Sequence, residues 1–278
     1  MSIIKSYNSA LLKKVNVEFY GSANEMASDL ETRKITDSNF KSNPYDDRSW
    51  VGANREETYK MLREGYQPTV DALKGKTKVT ATSKRFRAFN DVQGFAPIVP
   101  NAIMGLPNSM VNSSMTPIKT KVLDIYYDMT VSCCVDSKDL IKAGQKMLGV
   151  ILSMEAQGYR FNLYVCQTYA DSSSCDMVCV KVKSANQPFD LKRMSFPVSH
   201  TAFFRGIGFD WYSKCPTAHY RCGYGTPLYH TKKQDDLKAE FKKLFGKGAT
   251  YFSAYKLIEK KDEAESYIKE ALSNDKAQ

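Results

Sequence analysis

Hydrophobic and polar residues alternate with two different periods along this chain, and the periods divide it into strands and helices. Residues 16–20 alternate weakly, as a short strand does. Ser22 stands ahead of Glu25, Met26 and Leu30 with the spacing of a capping box at a helix start. Residues 37–48, rich in Asn, Ser, Asp and Pro, predict a surface loop. Within residues 56–65, Tyr59, Met61 and Leu62 supply an apolar side and Gly65 a stop, which predicts a short helix. A basic segment and a Pro- and Asn-rich run, 97–117, follow.

The second half has the sharper pattern. Residues 122–131 are β-branched and aromatic, as a strand requires. Asp136 or Ser137 caps a long helix whose apolar side is Leu140, Ile141, Met147, Leu148, Ile151 and Leu152, ending at Gly158. Phe161, Leu163 and Val165 alternate as a second strand, a polar turn covers 171–174, and 177–182 makes a third strand antiparallel to the second. Residues 190–211 are apolar and partly helical, interrupted by Pro197 and Gly206; a Gly/Pro/Tyr-rich loop, 215–230, leads to a charged helix at 234–245. A strand over 249–258 and an amphipathic helix using Ala264, Tyr267, Ile268, Ala271 and Leu272 close the chain.

This order predicts an α/β fold: a mostly parallel, doubly wound sheet with one antiparallel edge strand over residues 117–278, preceded by an N-terminal α+β extension, 1–116, that carries the basic segment. The early hairpin resembles the von Willebrand factor A-type variant of that fold. The first strand ends in Asp128-Met-Thr130-Val-Ser132, which resembles the Asp-x-Ser-x-Ser metal motif of that family. The resemblance implies Mg²⁺ held by Asp128, Thr130 and Ser132, with an open position for a partner's carboxylate. Asp171 and Ser172 lie in the wrong connection to supply the family's later ligands. In the alternative reading, these groups satisfy the backbone of the next turn.

A second resemblance rests on four segments, Trp50-Val-Gly-Ala-Asn-Arg-Glu-Glu-Thr-Tyr59, residues 99–110, Gln187-Pro-Phe-Asp-Leu191 and residues 200–209. Together they resemble motifs of uncharacterised bacteriophage and prophage proteins. That resemblance implies a phage origin and supplies no known activity.

Composition narrows the function classes. With 42% hydrophobic residues in 278, the chain can bury a sizeable core without disulfides or metals. No apolar run approaches a membrane span and the first residues lack a secretory signal, so no membrane span and a host-cytoplasmic or virion-associated location are expected. Seven cysteines, with Cys133 and Cys134 adjacent, fit reduced thiols. The interleaved Cys215, His219, Cys222 and His230 match no zinc-ligand pattern, so zinc is not expected there. No P-loop, nucleophile elbow or dinucleotide-binding glycine motif occurs, and Gly206-Ile-Gly208 reads as a place of close packing.

The net charge of +10 permits anionic partners. Its densest part, 74–89, offers Lys76, Lys78, Lys84, Arg85 and Arg87 to phosphates and Phe86 to bases. The expected function is a non-enzymatic binding protein acting through a protein partner, in virion assembly or interference with a host system, with Asp128 to Cys134 facing that partner. The alternatives are a nucleic-acid-binding protein using 74–89 and a metal-dependent hydrolase using Asp128.

Overall fold

Nine strands form two sheets in the computed structural model, which describes residues 2–35, 44–74, 84–117, 122–170, 173–215, 217 and 227–274. They are β1 (Ile3–Ser9), β2 (Lys13–Tyr20), β3 (Lys84–Asp91), β4 (Ala96–Pro97), β5 (Met110–Pro117), β6 (Val122–Asp128), β7 (Arg160–Ala170), β8 (Ser174–Lys183) and β9 (Ala249–Ser253). Six of them make the main sheet, in the order β1-β2-β8-β7-β6-β9. β6 is parallel to β7 and β9, and β2 is parallel to β8, whereas β1–β2 and β7–β8 are antiparallel. The chain is therefore α/β, with a mixed, mostly parallel main sheet and a small antiparallel sheet, β3-β5-β4.

The described helices are α1 (Ala23–Thr32), α2 (Arg48–Val51), α3 (Arg55–Glu64), α4 (Gln67–Leu73), α5 (Val99–Ile103), α6 (Ser137–Ala156), α7 (Leu191–Ser199), α8 (Phe209–Ser213), α9 (Leu228–Thr231), α10 (Gln234–Phe245), α11 (Ala254–Lys260) and α12 (Ala264–Asn274). Period-two alternation assigns each strand residue to one of two cores. Leu123, Ile125 and Tyr127 of β6 and Val178 and Val180 of β8 meet α1, α3, α4, α6, α7, α11 and α12. Tyr126, Met177 and Cys179 point the other way, to Leu237 and Phe241 of α10.

Three expectations change. The antiparallel β8 is not an edge strand, because β2 runs beside it and the edges are β1 and β9. Its residues from Cys175 to Val180 are all buried, as in a strand covered on both faces and both sides. The sheet also crosses the expected division between 116 and 117, since β1 and β2 come from the first segment; of the described strands, β3, β4 and β5 stand outside it. Finally, the strand expected over 249–258 ends at Ser253, and Ala254 and Leu257, three apart and both buried, continue as α11.

Close packing of α6 on α7 fixes the helical layer over the sheet. A Cβ on Gly144 would lie 2.3 Å from the Val198 carbonyl oxygen and 2.5 Å from Ser199 Cα, backbone atoms that cannot swing aside. On Gly149 it would make ordinary contact, 3.5 Å from Leu73 Cδ2. In equilibrium urea unfolding, Gly144→Ala is expected to cost about 2 kcal/mol through overpacking. Gly149→Ala should gain up to about 1 kcal/mol from helix propensity.

Candidate functional site

β6 lies between β7 and β9, and its last residue, Asp128, sits at the register positions of Cys166 and Ser253. Asp128 is fully buried. Its Oδ1 accepts from the Thr130 N–H at 2.9 Å, and its Oδ2 accepts from the hydroxyls of Thr168 at 2.7 Å and Tyr251 at 2.8 Å. Thr130 Oγ1 in turn accepts from the Thr168 N–H at 2.7 Å. One carboxyl thus ties β6 to both neighbours. Burial pushes its pKa up, against the lowering effect of its donors.

Two of the expected metal residues meet in this network. Asp128 and Thr130 share it, and the Ser132 N–H donates to Tyr229 Oη at 2.7 Å. The oxygens of Asp128 and Thr130 already accept protein donors, so this geometry does not present three free oxygens to an incoming cation. Among the described residues no group of three or more His, Cys, Asp or Glu is placed to hold a metal ion. Nor does Asp128 face outward as expected of a partner surface, because its carboxyl is satisfied inside the sheet.

The exposed part of this end is the turn that follows. The Val135 N–H donates to the Ser132 carbonyl at 3.1 Å, leaving Cys133 and Cys134 exposed at its crown with sulfurs 3.8 Å apart. Trp50 Nε1 donates to the Cys133 carbonyl at 3.2 Å. Arg205 donates to the carbonyls of Trp50 at 2.9 Å and Val135 at 2.7 Å, with its guanidinium 4.7 Å from the centre of the Trp50 ring. Trp50 stacks on Phe209 at 5.4 Å, and the Thr201 hydroxyl donates to the Val51 carbonyl at 2.9 Å. Gly52 has φ +90°, and a Cβ there would lie 2.7 Å from Thr201 Oγ1. The fold therefore joins segments 50–59 and 200–209 into one clasp beneath the turn.

Arg205 lies in a π-helical turn, Phe203–Gly208, and is 2% exposed; no carboxylate among the described residues pairs with it, its Nε has no partner, and burial lowers its pKa. Gly206 and Gly208 admit Tyr45 and Gln167 at distances a side chain would forbid, as close packing requires. His200 packs against Tyr66 with centroids 4.5 Å apart, accepts from the Ala202 N–H through Nδ1, and burial lowers its pKa to about 4, so it is a neutral core group.

Lys76 and Lys78 lie outside the described residues. Lys84, Arg85, Phe86 and Arg87 fall in β3, opposite Pro117, Thr116, Met115 and Ser114 of β5. Beyond them the connections of the small sheet carry a run of exposed apolar residues that periodicity does not announce. Val92, Phe95, Val99, Ile103, Met104 and Leu106 are all exposed, Phe95 at 68% and Ile103 at 80%. The available signal was the density of apolar residues within a Pro/Asn-rich run. Of the other cysteine and histidine candidates, Cys215 is buried with Sγ 3.3 Å from Thr217 Oγ1, His219 and Cys222 lie outside the described residues, and the backbone of His230 belongs to α9.

A carboxyl whose folded pKa is raised above the unfolded value of about 3.9 contributes stability that is present below that value and lost as pH rises through the folded one. Asp128→Asn keeps an acceptor oxygen without the buried charge. Its stability relative to the unsubstituted protein should therefore increase as pH is raised from about 4 to 8 in urea unfolding. Asp128→Ala strands buried donors and should cost at least about 2 kcal/mol at every pH.

No curated protein and no solved structure matches this chain. One family model matches it over residues 5–274, nearly its whole length, and on that match the chain belongs to the family described as a domain of unknown function, DUF7192.

Proposed function

We propose that this protein is a non-enzymatic binding protein whose arm, formed by β3, β4, α5 and β5, recognises a protein partner. The observation that carries the reading is the exposure, within one stretch of the arm, of Val92, Phe95, Val99, Ile103, Met104 and Leu106. Single exposed apolar residues are ordinary, but so many left in water along one short stretch of chain point to an interaction surface. The occupant it fits is an apolar groove rimmed by acidic groups. Charge complementarity supports this, since Lys84, Arg85 and Arg87 precede this stretch and β3 has no acidic residue before Asp91.

A phage origin, with action in the host cytoplasm or on the virion, rests on the resemblance of segments 50–59, 99–110, 187–191 and 200–209. It supports a role in virion assembly or in interference with a host system. A von Willebrand A-type relation is supported by the reversed strand directly after β7, while β2 on its outer side departs from that pattern.

The test replaces Ile103 in the full chain with a photo-reactive phenylalanine analogue, with Lys60, exposed on α3, as the control position. Illumination in expressing cells, followed by peptide mass spectrometry, should show adducts from position 103 on an apolar segment flanked by Asp or Glu of another protein, and none from position 60. Phe95→Ser with Ile103→Ser should weaken the yield at least tenfold yet change stability by less than about 0.5 kcal/mol. Adducts to the chain itself, to nucleic acid, or to nothing overturn the reading.

A further inference from the structure

Cys133 and Cys134 are presented together, in a fixed setting, where the loops of an open α/β sheet gather ligands. Their sulfurs are exposed and 3.8 Å apart. The backbone beneath them is held at Ser132 by Tyr229, at the Cys133 carbonyl by Trp50 and at the Val135 carbonyl by Arg205. The turn is thus pinned before, between and after the two thiols.

Two chemistries compete for such a pair. An ordinary disulfide needs Cα atoms roughly 4.4–6.8 Å apart, whereas consecutive residues hold them at about 3.8 Å, so bridging these neighbours requires strain. Chelation requires none. Two thiolates at the usual zinc–sulfur distance of about 2.3 Å, in tetrahedral arrangement, stand about 3.8 Å apart, which is the separation found here.

We propose that Cys133 and Cys134 form a chelating site for a thiophilic divalent cation of the zinc class. The two thiols bind as thiolates, each forming one sulfur–metal bond and releasing one proton to solvent. No third His, Cys, Asp or Glu joins the pair among the described residues, so water completes the coordination shell. The motif segments around Trp50 and Arg205 then have a shared task, that of positioning the dithiol.

Cadmium ion is the probe, titrated into the reduced full chain while thiolate-to-metal charge-transfer absorption is followed. One tight equivalent should bind, with release of two protons per ion where the free thiols are protonated. Cys133→Ser and Cys134→Ser should each weaken it at least tenfold, and the double variant should lose it while its melting temperature stays unchanged. Cys215→Ser combined with Cys222→Ser should retain it. Undiminished binding in the Cys133/Cys134 double variant, or loss in the Cys215/Cys222 variant, overturns the site. Should the double variant fail to fold, protection of the two thiols from iodoacetamide by cadmium in the unsubstituted protein decides the matter, and equal labelling with and without the ion rejects the proposal.

Discussion

A carboxyl with no access to water must find its hydrogen-bond donors inside the protein, and at the end of β6 this requirement organises everything around it. Asp128 draws a hydroxyl from β7, another from β9 and an N–H from its own chain two residues on. Those bonds close the carboxyl end of the three parallel strands. From there the chain leaves through α6 to β7 on one side, while β9 flanks β6 on the other. The crevice that such a divergence creates contains Tyr229, stacked on Tyr255 with centroids 4.0 Å apart and hydrogen-bonded to the Ser132 N–H. A polar strand end is sealed, and what reaches solvent is the turn above it.

Two arginine-bearing sites, one partly exposed and one buried, show how differently a cation can be used. Arg33 pairs with Glu18, which also accepts from Trp211 Nε1 at 2.8 Å, so charge meets charge near the sheet's first two strands. Arg205 instead spends its donors on carbonyls. A buried guanidinium that no carboxylate among the described residues pairs with is a poor source of stability in a low-dielectric interior. It is an effective spacer, because its planar fork fixes the distance between the Trp50 and Val135 backbones.

Much of the fold was legible because its elements have one apolar face and clear punctuation. Ser22 does cap α1, accepting from the Glu25 N–H at 3.1 Å, and Asp136 caps α6 through the Lys138 N–H at 2.8 Å. β1 was not legible. It lies at the exposed edge, so its residues show no buried alternation. α4 was missed, and Ala254 onward was read as strand because short apolar runs carry either period. In the site, Asp128 at the strand end and Thr130 two residues on could be paired by period two. Thr168 and Tyr251 could not, since which residues stand beside Asp128 depends on the register of β7 and β9. The meeting of Trp50 with Arg205, 155 positions apart, is likewise a product of helix packing rather than of any local pattern.

The parallel pairing of β2 with β8 has a temporal side. Lys14 aligns with Ser174 and Tyr20 with Val180, a separation of 160 residues. At translation speeds of roughly 5–20 residues per second, the first hairpin leaves the ribosome some ten to thirty seconds before its permanent neighbour exists. During that interval Val15, Val17 and Phe19 have no sheet to enter. Lys5, Lys13 and Lys14 sit beside them on the same hairpin, and their charge keeps the nascent edge from pairing with another chain.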